Sequence, residues 1–112
     1  MKTKRTLGGF ESLLLLSVLR LGERAYGVTI RRELMERAGK DVAVGAIYTG
    51  LDRLAKRGLV ESWHGEPTAE RGGRAKRFYR VTAAGLEAVN HKQRAMQSLL
   101  DGLDLMREDA HA

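Results

Sequence analysis

The sequence contains no cysteine. That excludes disulfides, thiolate-bound zinc and a thiolate nucleophile, and nothing else points to an oxidising compartment. There is one proline, and no internal repeat, low-complexity tract or interdomain linker breaks the chain. No stretch approaches the roughly 20 consecutive apolar residues that a bilayer-spanning helix needs. The start superficially mimics a secretory signal, because Lys2, Lys4 and Arg5 precede the run Leu13 to Leu16. However, Glu11 interrupts the approach, Arg20 closes the run early and no small-residue cleavage site follows, so an amphipathic first helix and a cytoplasmic protein are expected. Catalytic signals are missing too. His64, His91 and His111 show no metal-ligand spacing, no glycine-rich phosphate loop follows a strand, and no nucleophile has an evident base partner. No catalytic residue, metal or cofactor is therefore expected.

What the chain does have is positive charge. Its 112 residues fit one domain with a modest core. Lys and Arg number 20 against 14 Asp and Glu, a formal charge of +6. A surplus of this sign favours a polyanionic partner such as nucleic acid, but it names only a class, and the placement of the charge has to decide.

From Phe10 to Leu21 the residues Phe10, Leu13, Leu14, Ser17, Val18 and Leu21 follow helical spacing and lay one stripe on a core. Leu15, Leu16 and Leu19 are left over, so a second subunit is expected against this helix, with Leu15 and Leu19 at the contact. Gly22 stops it. A second segment recurs at Ile30, Leu34 and Ala38 and ends at Gly39. A third, from Val44 to Arg57, buries Val44, Ile47, Leu51 and Leu54, displays Thr49, Asp52, Arg53 and Lys56, and ends at Gly58. The periodicity then changes to alternation. Leu59–Trp63 and Lys76–Val81 read as two strands, joined by a polar connection with the proline and Gly72-Gly73. Thr82 is a good N-cap for a last helix expected from Ala83 to Arg107, nearly 40 Å at about 1.5 Å per residue. On it Leu86, Val89, Gln93, Met96, Leu100 and Leu103 keep the three-and-four spacing of a coiled-coil seam with one polar interruption. So long a helix on so small a domain needs another chain to cover it.

The predicted fold is therefore mainly α with a small β-hairpin. The order helix, helix, helix, strand, basic loop, strand, long helix is the layout of a winged helix-turn-helix domain (7–82) followed by a C-terminal dimerisation helix (83–107). In such a layout the third helix enters the major groove of double-stranded DNA and the hairpin tip reaches the neighbouring backbone or minor groove.

The sequence resembles the PadR family of transcription regulators in several stretches: Leu7-Gly8-Gly9-Phe10-Glu11, Ala25-Tyr26-Gly27-Val28-Thr29-Ile30, Val44 through Leu54, Lys56-Arg57-Gly58-Leu59-Val60, and Arg71 through Gly85. Each is weak alone; in this order and at these separations they are specific. The single-helix ending looks like the family's smaller subclass. The resemblance implies a homodimer that binds a palindromic operator, usually to repress, and does not act as an enzyme. In some small members aromatic residues at the dimer interface line a cavity for flat hydrophobic compounds, which makes Trp63 a candidate for an effector site; core or dimer packing is the other reading. One departure is Ala43, where the family often has Ser or Asn as N-cap. Its absence costs about 1 kcal/mol unless Asp41 substitutes.

The residues expected at DNA are Tyr48, Thr49, Arg53 and Lys56 on the third helix and Arg71, Arg74, Lys76 and Arg77 on the wing. Arg53 suits guanine, hydroxyls suit phosphate or base edges, and Lys56 and the wing cations suit phosphate. A solvated face remains the alternative for the helix, a solvated loop for the wing, and core packing for the Tyr48 ring. Gly50, costly inside a helix, allows close approach either to DNA or to a neighbouring helix. Two further functions stay open at this point: a small-molecule sensor with DNA as its output, and a module whose seam binds a different helical protein.

Overall fold

A computed structural model of the chain describes residues 6–65 and 76–105. In chain order these form α1 (Gly9–Leu21), a single 3-10 turn (Gly22–Arg24), α2 (Gly27–Ala38), α3 (Val44–Lys56), β1 (Val60–His64), β2 (Arg77–Val81) and α4 (Ala83–Leu100). The hairpin is antiparallel, with Val60 opposite Val81 and His64 opposite Arg77. Beside it the segment before α2 adds a short third rail: the Tyr79 amide donates to the Ala25 carbonyl at 2.9 Å, and Tyr26 bridges Phe78. This is a mostly helical fold with a two-stranded hairpin, as the sequence pattern predicts.

Local chemistry sets the boundaries. The Gly8 amide donates to Glu11 Oε1 at 2.8 Å, and the same oxygen takes Arg57 Nη1 at 3.0 Å, so the start of α1 is fastened to the end of α3. Gly22 and Gly39, at φ 60° and 65°, end α1 and α2 in a backbone region that residues with a Cβ avoid. The start of α4 is tied at several points. Thr82 Oγ1 accepts from the Gly85 amide at 3.0 Å and donates to the Gly58 carbonyl at 2.7 Å, while the Thr82 amide donates to the Leu59 carbonyl at 3.0 Å. These bonds tie the hairpin base to the last helix.

The core gathers Leu14, Leu15 and Val18 of α1, Ile30 and Leu34 of α2, and Ile47, Leu51 and Leu54 of α3. It is closed by Leu59, Val60, Tyr79 and Val89. Two residues expected at a subunit contact are instead inside the protomer. Leu15 is completely buried in the α1–α2–α3 core and Val89 is buried against the same cluster, because α4 lies on α1 and turns one side of its apolar pattern into its own domain. Lys92 adds to this seating, its Nζ donating to the Leu7 carbonyl at 2.9 Å. Ala38, expected to be inward, is exposed at the end of α2.

Helix α4 also stops sooner than its periodicity suggests. It ends at Leu100, and Gly102 takes φ 83°, so Leu103 lies beyond the helix and the helix is roughly 27 Å long. The fray expected after Arg107 falls outside the described residues. Asp41 does not cap α3: its carboxylate pairs with Arg31 Nη2 at 3.0 Å, and Arg31 Nε holds the Val42 carbonyl at 2.9 Å, which fastens the turn between α2 and α3. Ala43 is left as an N-cap with no side-chain bond. Gly50 is explained by packing. A Cβ there would come within 2.5 Å of Leu14 Cδ1 and 3.2 Å of the Phe10 ring, so the glycine lets α3 lie close on α1 and faces into the protomer.

Candidate nucleic-acid interface

Because Ile47, Leu51 and Leu54 hold one side of α3 in the core, the opposite side is fixed outward. That side carries Thr49, Asp52, Arg53 and Lys56, all exposed. Among the described residues Arg53 and Lys56 make no ion pair, so both long cationic side chains are available to an incoming anion. Thr49 is more restricted: its hydroxyl donates to the Gly45 carbonyl one turn back at 3.0 Å, which leaves its oxygen as an acceptor and its methyl as an apolar contact. Tyr48 is not a free reader. Its ring is half-buried, 6.3 Å from the Tyr79 ring, and its hydroxyl stands over Gly27, where a Cβ would come within 2.6 Å of it. It packs α3 against α2 and the hairpin.

The wing cations separate. Arg71 and Arg74 fall outside the described residues. Arg77 faces α3: Nη2 is 3.6 Å from Asp52 Oδ1, Nε donates to Ser62 Oγ at 3.4 Å, and the guanidinium lies 5.5 Å above the Tyr79 ring. Lys76 takes the other face, as alternation along a strand requires, with its Nζ 5.1 Å above the Tyr26 ring. So the two described wing cations do not form one clamp. Arg77 continues the outward face of α3, and Lys76 stands on the side of α2.

Beneath this face, Tyr79 is fully buried and its hydroxyl has no hydrogen-bond partner among the described residues. Burial pushes its pKa above the usual tyrosine value, the nearby Arg77 charge opposes the shift, and Asp52 and Tyr48 add to it. The phenol therefore stays neutral, and its ring supports Tyr48 on one side and Arg77 on the other.

A second surface lies on the far side of the hairpin. Trp63 packs edge-on to Phe78, which stacks on Tyr26, and Arg80 lies over Trp63. Trp63, Phe78 and Arg80, with Val18, Leu19 and Glu23, line an open groove of about 570 Å³. Leu16 and Leu19 of α1 and Leu86, Met96 and Leu99 of α4 are exposed. Of the expected contact residues, Leu19, Leu86 and Met96 thus stand outward, Gln93 is exposed and Leu100 is half-buried. Leu99, at 78% the most exposed of these apolar side chains, is not among the expected contacts and lies off the seam spacing. Its helical relation to Met96 is the signal that could have found it. Among the described residues no cluster of three or more His, Asp or Glu side chains could hold a metal ion, and no helix is long and apolar enough to cross a membrane.

Comparison with known proteins agrees with this fold. No curated protein sequence is matched. Among solved structures, RosR of H. salinarum is 32% identical with a TM-score of 0.65, over 96% of this chain and 89% of that one. A PadR family transcriptional regulator from Eggerthella lenta is 26% identical with a TM-score of 0.64, over 88% and 83% of the two chains. A PadR family transcription regulator from Clostridium difficile shares the fold at a TM-score of 0.64, with 22% identity over 83% and 96%. Residues 15–91, which run from the core of α1 through the hairpin into α4, match the transcriptional regulator PadR-like family, and the chain belongs to that family.

Proposed function

We propose that the chain is a sequence-specific DNA-binding regulator that acts as a homodimer on a palindromic operator and represses by occluding the promoter. The observation that carries this reading is the outward face of α3. Its core side is locked by three fully buried aliphatic residues, its free side presents Thr49, Arg53 and Lys56, and Arg77 of the hairpin extends it. A rigid helix with one cationic face fits a major groove about 12 Å wide. In this reading residues 7–82 form the reading head and the helix after Thr82 joins two of them. The exposed Leu16, Leu19, Leu86, Met96 and Leu99 supply the apolar surface between protomers. The protein works by binding and not by catalysis.

The test is a salt titration combined with one substitution. Binding to a selected duplex should weaken steeply with salt, with log affinity falling by about 0.9 per log unit of salt for each phosphate contacted. Arg53→Ala should lower affinity for the selected site by roughly tenfold and relax base preference at one position in each half-site. A flat salt response would favour the alternative of a helical protein-interaction module.

A second reading, a regulator that also answers a small planar hydrophobic compound, is supported by the groove between α1 and the hairpin. Trp63 is the sole tryptophan and is partly exposed there beside Phe78 and Leu19. A planar aromatic dye should then quench its fluorescence saturably at micromolar concentrations and change operator affinity. Quenching that never saturates removes this reading.

A further inference from the structure

Helix α3 carries one carboxylate on the face that holds its cations. Asp52 stands three residues after Thr49 and next to Arg53, and its side chain is 52% exposed. Its Oδ1 lies 3.6 Å from Arg77 Nη2, within ion-pair range but too long for a hydrogen bond. Arg77 itself is held from the hairpin side, by Ser62 Oγ and by the Tyr79 ring. An exposed pair of this length adds almost nothing to stability. What it does is hold a negative charge at a defined point on a surface that otherwise attracts a polyanion.

A carboxylate only accepts hydrogen bonds. Phosphates and the guanine edge offer acceptors and repel it. In the major groove the donors are the amino groups of cytosine and adenine, and adenine sets the acceptor N7 beside its amino group. Cytosine is the base whose own edge presents a donor without an adjacent acceptor. Arg53 and Lys56 can only donate, and the Thr49 hydroxyl gives its hydrogen to Gly45, so Asp52 is the strongest acceptor on this face.

Resting on the DNA-binding reading above, we infer that Asp52 is a specificity-determining residue. It accepts from the amino group of one cytosine in each half-site and penalises every sequence that offers no donor there. Arg77 is its positioning residue: held by Ser62 and Tyr79, it fixes where the carboxylate sits and balances its charge when no DNA is bound.

The experiment compares the full-length wild type with Asp52→Ala, Asp52→Asn and Arg77→Gln at physiological salt. Each is measured by selection from a random duplex pool and by titration against the wild-type consensus and mixed-sequence DNA. The wild type should require cytosine at one position per half-site. Asp52→Ala should lose that requirement, bind mixed-sequence DNA more tightly, and narrow the ratio of consensus to mixed-sequence affinity by about tenfold. Asp52→Asn, which both donates and accepts, should shift the preferred base toward adenine, and it carries the test if the alanine variant unfolds. Arg77→Gln should dilute the cytosine preference; an unchanged preference removes Arg77 from its positioning role. If Asp52→Ala alters both DNAs by the same factor and keeps the wild-type consensus, the inference is overturned while the DNA-binding reading stands. A wild type with no preference for any duplex over heparin sinks that reading first.

Discussion

Leu99→Asp should yield monomers by light scattering at micromolar concentration, with the affinity for a two-half-site operator down by roughly a hundredfold or more. In the single protomer Leu99 is largely in solvent, so a charge there should leave folding stability within about 0.5 kcal/mol of wild type. At an apolar contact between two copies the same carboxylate loses water without gaining a partner, which costs about 3 kcal/mol or more, and each 1.4 kcal/mol is about a tenfold change in association. The fold should survive and the proposed dimer should not. Leu99 is the better probe than Leu100, whose half-buried side chain would mix loss of association with loss of packing. A variant that remains dimeric would show that α4 does not join the protomers through this face.

Gly85→Ala should be the most damaging alanine substitution among the described glycines, lowering stability by about 3 kcal/mol and the midpoint of thermal unfolding by roughly 15 °C. Two effects compete. Alanine improves helix propensity by about 1 kcal/mol over glycine. Against this, a Cβ at position 85 would fall on the Leu59 carbonyl oxygen and within 2.8 Å of Val81 Cγ1. A flexible side chain can turn away from such a contact; a backbone carbonyl that already accepts from the Thr82 amide cannot. The clash therefore wins. Because Thr82 and Gly85 set the angle at which α4 leaves the hairpin, a variant that still folds should also misplace the two reading heads and lose operator affinity. Thermal unfolding followed by circular dichroism decides the first part, and a Gly85→Ala variant as stable as wild type would refute the account of this junction.

Much of the architecture is written in short-range chemistry. Helical spacing in the first half, alternation after Gly58 and the N-cap at Thr82 each depend on neighbours within a few residues, and all three are realised. The exposure of Arg53 and Lys56 follows from the same period, because burying Ile47, Leu51 and Leu54 leaves one face of α3 outside. Pattern and structure part where a residue's surroundings come from another element. Leu15 and Leu16 are adjacent apolar residues on one helix, and only the packing of the rest of the protomer makes Leu15 core and Leu16 surface. The seam on α4 misleads for a related reason: its spacing marks an apolar stripe but not what covers it, and at Val89 the cover is the protomer's own core. Periodicity carries the helix past Leu100 because the heptad spacing continues to Leu103 across Gly102, where the backbone turns left-handed.

By itself, the amino-acid order determined the kind of molecule this is: a cationic helical reading head with a hairpin and a trailing helix, since propensity, period and capping act over a few residues. Which of the remaining side chains of that head are taken up by packing or pairing was decided by the tertiary structure. Tyr48 is drawn into packing by Tyr79, Gly50 is filled by Leu14 and Phe10, and Arg77 is brought to Asp52 across 25 positions of sequence. Such contacts join atoms remote along the chain, and no local pattern encodes the path that brings them together.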